Sequence, residues 1–464
     1  MKTRTAVIFG AVVVAASMVT GARGNGSSDL ASLGVFGNLS RLLAPQPSTG
    51  TIAFTNVNVV PMDADRVLRG QTVVVQGDRI KDLGPTSQVS VPSGATRIDG
   101  SGKYLMPGLA EMHGHMPGGD LEETVMFLYV ANGVTTVRGM LGQDFHLELR
   151  RKAQAGEIIA PTLYMAGPSF NGNSVSSPEQ AGEMVRRQKE QGWDLLKVHP
   201  GLTVPEYHAM ASTAAEVGIR FGGHVPADVG LRNAIEMGQE TFDHLDGFIE
   251  YLDAFDRPID QAKLEELVTL VKGSGAWVVP TMVLWDIGII GRGDARAMEK
   301  YSEMRYWPAR GVQGWSRRQT ERARAAAQDP ERAELWANNR MRVLKALADG
   351  GVGVLMGTDS PQIFSVPGFS LHREMAAMAE AGMTPYQILV SGTQAVGEYF
   401  GRQDSFGTVA IGRRADLILL NSNPLRDIAN VQDRVGVMVR GRWLSEDMIQ
   451  SKLAEIEQRF ATDR

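Results

Sequence analysis

An α/β fold is predicted for this 464-residue chain: a TIM (β/α)8 barrel with a small composite β-sandwich built from the N- and C-terminal segments. Three observations predict it. Short apolar runs alternate with helix-patterned stretches through the middle of the chain. Short alternating strands gather at both ends, neither set large enough to be stable alone. Histidine, lysine and aspartate side chains close successive apolar runs, which is where barrel folds place their functional groups.

Residues 1–22 read as a signal peptide. Lys2 and Arg4 form a positive start, residues 6–19 an uncharged apolar stretch, and Thr20, Gly21 and Ala22 a small-residue cleavage site. The chain is therefore expected to be exported, periplasmic or secreted. An uncleaved anchor competes with this reading, although a spanning helix needs roughly 20 apolar residues. No other stretch could cross a bilayer, so no membrane span is expected in the mature chain.

Residues 23–50 are rich in Gly, Ser and Pro and read as a linker, with a short helix around Leu30 to Leu43. Residues 51–103 turn to short alternating strands, TIAFTNVNVV, QTVVVQGDRI and ATRIDG, broken by DADR and GDR turns. A matching set follows at 404–445, and 446–464 reads as a C-terminal helix. The barrel occupies 104–403, with strands expected at 104–112, 134–138, 162–166, 195–198, 219–222, 240–243, 277–281 and 353–356. Helical patterns such as PEQAGEMVRRQKEQG and VPEYHAMASTAAEVG fill the gaps. The stretch 286–349 is too long for a plain seventh helix and carries Tyr306, Trp307, Trp315 and Trp336. It reads either as an elongated helix pair with aromatic packing or as a lid over the barrel mouth.

Composition narrows the chemistry. With 43% apolar and 21% charged residues the chain is ordinary for a globular protein, and a net charge of −5 without a basic stripe excludes nucleic acid as a partner. A small-molecule substrate is expected, and homo-oligomerisation is left open. There is no cysteine, so disulfides, thiolate-bound zinc and cysteine nucleophiles are all excluded. Any metal must sit on nitrogen and oxygen.

The candidate ligands are His113 and His115 in PGLAEMHGH, Lys197 in LLKVH, His224 in GGHV, His244 in FDHLD and Asp359 in GTDS. Alternation along a strand sends His113 and His115 to one face. Strand-end imidazoles suit zinc or a similar cation. Lys197 decides between one metal and two. A lysine in an apolar interior has a depressed pKa, and its neutral amine can take up carbon dioxide to give a carbamate with two oxygens to bridge two ions. His199 lies two residues past Lys197 and is read either as packing or as a substrate-binding group. Arg138, at a strand end, could hold a substrate carboxylate or form an ion pair behind the ligands. His146, His208 and His372 match nothing in this pattern.

The motifs LMPGLAEMHGH, NGVTTVRG, LLKVH, GGHVPADVG, FDHLDG, GTDS and the tail GTVAIGRRADLILL, taken in this order, resemble the amidohydrolase superfamily. The likeness is to exported members similar to imidazolonepropionase-like and Xaa-Pro dipeptidase-like hydrolases, and covers almost everything after residue 50. It implies two divalent ions, zinc by preference. His113, His115 and Asp359 would bind the more buried one, His224 and His244 the outer one, and carbamylated Lys197 would bridge them. It further implies a metal-bridging hydroxide attacking a C–N amide bond, with Asp359 as general base and acid.

Three departures bear on specificity. Glu111 and Gly139 stand where relatives usually have aspartate, and VPADVG after His224 lacks the tyrosine-bearing stretch with which dipeptidases hold a substrate carboxylate. The substrate class expected is a dipeptide, an N-acyl amino acid or a similar amide. A lactone, lactam, imidazolone or organophosphate at the same site remains an alternative, as does a non-catalytic binding protein on the same barrel.

Overall fold

Gly108 divides what the sequence presents as one long strand. The computed structural model describes residues 50–401 and 404–461, so the expected signal peptide, nearly all of the linker and the last three residues lie outside the described residues. Within it the run 104–112 splits into β5 (Tyr104–Pro107) and β6 (Leu109–Gly114), which serve different sheets. The Gly108 amide donates to the carbonyl of Asp416, and the next amide, Leu109, donates to that of Gly133. A Cβ on Gly108 would lie 2.2 Å from Thr135 Oγ1, so only glycine fits the handover. Both halves are apolar and buried, which is why hydrophobic pattern alone joins them.

β5 belongs to an eight-stranded sheet with β1 (Thr51–Val59), β2 (Leu68–Gln76), β3 (Arg79–Pro85) and β4 (Thr96–Asp99). From the other end of the chain come β14 (Leu417–Leu420), β15 (Arg434–Val439) and β16 (Arg442–Ser445). β14 pairs antiparallel with β5, Leu419 facing Leu105, and this joins the two ends. Three strands separate β1 from β16 in the sheet order, a distance of roughly 19 Å if flat. Yet the rings of Phe54 and Trp443 are 5.3 Å apart, edge to face. The sheet therefore folds over a core that includes Val73, Leu105, Leu417 and Met438.

The middle of the chain is a mixed α/β fold with parallel sheets. β6, β7 (Val134–Gly139) and β8 (Thr162–Met165) form one. β9 (Leu195–Val198), β10 (Arg220–Gly223), β11 (Thr241–Asp243), β12 (Trp277–Val279) and β13 (Gly353–Val354) form the other. Parallel bridges run between Ala166 and Leu195 and between Gly114 and Ser360. The Met112 amide donates to the Met356 carbonyl, and the Asp359 amide to that of His113.

Helices cover these strands where the sequence has capping signals and apolar spacing. Pro178–Gln191 starts under the Ser177 side chain, which accepts from the Gln180 amide, and ends at Gly192 with φ +84°. Its buried Ala181, Met184, Val185 and Gln188 follow helical spacing. Thr203 and Glu206 form a capping box at the head of Val204–Val217, an interaction of about 1 kcal/mol. The 286–349 stretch contains helices Ala309–Ala326 and Pro330–Asp349. Trp307 stacks on Trp315 at 5.4 Å, and Trp315 meets Phe364, in the loop after Asp359, at 6.1 Å. No described helix is long and apolar enough to cross a membrane.

Candidate metal centre

Six side chains from five stretches of sequence converge where the parallel strands end. His115 Nε2 lies 2.6 Å from Asp359 Oδ1, and His113 Nε2 lies 3.8 Å from the same oxygen. His244 Nε2 is 3.9 Å from Asp359 Oδ2. Lys197 Nζ is 3.2 Å from His113 Nε2. The His244 ring sits 4.5 Å from those of both His113 and His224. His113, His115 and Asp359 alone form a group able to hold a cation, with ligand atoms within 4.8 Å of one another.

Local backbone explains the convergence. His113 and His115 share a face because they are two apart on an extended segment. Asp243 and His244 are adjacent, and simple alternation would send them to opposite faces. The strand ends there: His244 has φ +66° and Leu245 φ +54°, which swings the imidazole back toward Asp359. Asp359 is likewise at φ +60°. Such conformations cost about 1–3 kcal/mol each and concentrate at functional sites, though aspartate tolerates them better than most.

Three of the rings have an oxygen behind them. His113 Nδ1 lies 2.8 Å from Asp243 Oδ2, with both side chains buried. His224 Nδ1 is 2.6 Å from Asp246 Oδ2, and His244 Nδ1 is 2.8 Å from Thr281 Oγ1. A hydrogen-bonded oxygen on Nδ1, as at His224 and His244, fixes the tautomer that leaves Nε2 as a free donor of its lone pair, the arrangement metal-binding histidines use. His244 Nε2 is buried and has no hydrogen-bond partner. Neutral rings, a carboxylate and a lysine with no thiolate are a donor set suited to zinc-like cations, so the residues present fit a metal.

The electrostatics favour neutral ligands. Burial, reinforced by Lys197, holds His113 far below its ordinary range, and burial with His224 does the same to His244. Burial also lowers the Lys197 ammonium, against the pull of Asp243 and Asp359. Burial alone would raise Asp243, but Arg138 and Lys197 prevail and hold its carboxyl below the usual range. His113, Lys197, Asp243 and His244 thus make a buried floor. His115 and His224, each about one-fifth exposed, form the rim.

The other two sequence candidates fall on opposite sides of this floor. His199 stacks on His224 at 4.9 Å, and its buried Nδ1 has no partner. Arg138 is fully buried. It pairs with Asp243 at 3.1 Å and donates to the Met112 carbonyl and to Thr241 Oγ1, so its ion pair lies behind the ligands. Of the unassigned histidines, His146 contacts the Met116 carbonyl and His208 contacts Asn233, while His372 lies 3.2 Å from Asn132 Oδ1.

Sequence reasoning overlooked Asp243, Asp246 and Thr281. The only signal was that the two aspartates flank His244 in FDHLD. Glu111, read as a departure, ties the site together: its carboxylate accepts from the amides of His113 and Thr358 and from Thr358 Oγ1. Over Gly139, the other departure, a Cβ would meet Met116 and Met165 at 2.3 and 2.7 Å, so thioethers occupy that space.

Residues 104–444 match the amidohydrolase family. The chain belongs to that family. It is a hydrolytic enzyme acting on carbon–nitrogen bonds. Ochratoxinase of Aspergillus niger is 21% identical over 447 residues, covering 81% of this chain and 82% of that protein. A putative prolidase from Bifidobacterium longum superposes with a TM-score of 0.65 at 21% identity, over 88% of this chain and 99% of its own. A bottromycin amidohydrolase gives 0.72 at 22% identity, over 88% and 90%. These structural likenesses are likenesses of fold.

Proposed function

We propose that this amidohydrolase cleaves the C–N amide bond of a small molecule, a dipeptide, N-acyl amino acid or similar compound, at a centre holding two divalent ions. The observation behind this reading is that His224 and His244 are anchored at Nδ1 by Asp246 and Thr281 and that Asp243 lies 2.8 Å from His113 Nδ1, with Lys197 and Asp359 beside them. His113, His115 and Asp359 would hold the inner ion, and His224 and His244 the outer. Lys197, whose ammonium form burial disfavours, would bridge them as a carbamate. Zinc is the cation that a set without thiolates but rich in imidazoles favours. Bound ions would supply an activated water and polarise the scissile carbonyl.

The chain's own groups do the rest. Asp359 accepts a proton at a carboxylate oxygen and returns it to the leaving amine. His199, stacked beside His224, would bond the substrate. Arg138 positions Asp243 and through it His113. The same reading takes the two parallel sheets as one eight-stranded barrel, supported by the Ala166–Leu195 and Gly114–Ser360 bridges. It takes the folded-over sheet as a composite sandwich domain made from 51–103 and 404–445.

Metal content per chain, measured with turnover on dipeptides, N-acyl amino acids, lactones, imidazolones and phosphotriesters, tests the proposal. Two ions per chain and turnover of an open-chain amide are expected. One ion per chain without a carbamate would overturn the binuclear assignment, and selective turnover of a lactone or triester would overturn the substrate class.

A further inference from the structure

A cavity of about 250 Å³ lies beneath the 286–349 segment, between helices Pro330–Asp349 and Phe369–Glu380, and none of the six candidate ligands lines it. Its apolar walls include Met282, Ile287, Ile290 and Met341. Three arginines also line it, among them Arg340 and Arg373. Arg340 and Arg373 each have a buried Nε with no hydrogen-bond partner.

Arg340 is only 4% exposed. Its Nη2 donates to the carbonyl of His244, and its guanidinium lies 3.7 Å above the Trp285 ring. No carboxylate among the described residues forms an ion pair with it. Asp246, Glu250 and Glu374 are near enough to exert some attraction, yet burial outweighs them and lowers the group to about 9. Two of the remaining charges are matched: Arg292 pairs with Asp286 at 3.0 Å and Arg373 pairs with Glu303. Glu380 also lines the cavity, at the end of its helix. A buried guanidinium without a counter-charge is costly. A cavity that supplies one beside apolar walls matches the usual design of a small-molecule site: mostly hydrophobic, with a few convergent polar groups.

The geometry points to a second ligand site here, separate from the metal centre, for a small organic monocarboxylate with an apolar body such as an aryl or branched-alkyl acid. The carboxylate pairs with the Arg340 guanidinium, which has no counter-ion of its own, and the hydrocarbon fills the space between Met282, Ile290 and Met341. An occupant would be an effector and not a substrate, because Arg340 also holds the carbonyl of His244. The assignment stands whichever amide the metal centre cleaves.

The probe is 3-phenylpropionate, with neutral 3-phenylpropanol as its uncharged counterpart, each titrated calorimetrically into the metal-loaded full chain. Crystals of the same protein grown with 3-phenylpropionate would locate it. The acid is expected beside Arg340 and Arg373 and is expected to bind about tenfold or more tightly than the alcohol, as one hydrogen bond to a charged group implies. Ala377→Phe, which puts a ring into the cavity from its lining, is expected to weaken the acid by a similar factor. Binding at the metal centre alone, equal affinity for acid and alcohol, or no binding would each overturn the site. Should Ala377→Phe fail to fold, the acid–alcohol comparison and the crystal position on the unaltered chain still decide.

Discussion

Asp243 Oδ2 lies 2.8 Å from His113 Nδ1 and 3.7 Å from Lys197 Nζ, so one buried carboxylate serves two candidate ligands from different sheets. Arg138 backs it at 3.1 Å. Asp243→Asn keeps the shape and removes the charge. Metal affinity is expected to fall roughly 10–100-fold, the usual effect of losing an outer partner, as read by competition with a chelator. Asp243→Ala should do more, leaving Arg138 buried without its counter-charge at a cost of about 3–5 kcal/mol. Native metal affinity in both variants would remove Asp243 from the site.

Lys197→Ala tests the bridging role directly. Lys197 is fully buried, and its alanine variant should lose most bound metal and more than roughly a hundredfold in activity, beyond what an outer partner costs. Added formate, acetate or propionate should restore part of both, since a short carboxylate reproduces the two oxygens of a carbamate. An alanine variant as active as the parent chain would refute the bridge.

Much of this centre was readable because each ligand ends an apolar run, and strand alternation already places His113 and His115 together. The helices at 178–191 and 204–217 were readable for the same kind of reason, through their caps and spacing. What stayed hidden is non-local. Nothing in the run 104–112 shows that Thr135 crowds Gly108 and splits it between two sheets. Alternation argues against Asp243 and His244 both facing inward, and only the positive φ at His244 resolves the conflict. The company kept by Arg138, namely Asp243, Thr241 and Met112, comes from β11 and β6, too far along the chain for any pattern to reveal.

Gly223→Ala should disturb the site without touching a ligand. Gly223 has φ +128°, and a Cβ there would stand 2.4 Å from the Val198 carbonyl oxygen and 3.0 Å from Lys197 Cδ. The first clash is with backbone, so β9 and β10 would have to separate where Gly223 pairs with Val198. A loss of about 2–5 kcal/mol is expected from strain and overpacking together, seen as a lower denaturant midpoint, with weaker metal binding alongside. An unchanged midpoint would mean that the strands are not this close.

Stability of the chelated chain should pass through a maximum between mildly acidic and neutral pH. Burial holds His113, His199 and His244 far below their ordinary 6.5. The unfolded chain therefore binds more protons than the folded one as pH drops. Their contribution is complete above the unfolded value and is lost as pH falls below it. Glu111 and Glu374 work in the opposite sense, because burial raises them from 4.5 to about 8 and about 7. Their contribution is complete below the unfolded value and is lost as pH rises toward the folded ones. The thermal midpoint measured at intervals from pH 5 to 9 should rise, crest near the histidine value and then decline. Loading metal should flatten the acid side most, since bound ions hold the histidines neutral. A midpoint that climbs steadily to pH 9 in the chelated chain would show that the two glutamates are ionised in the fold.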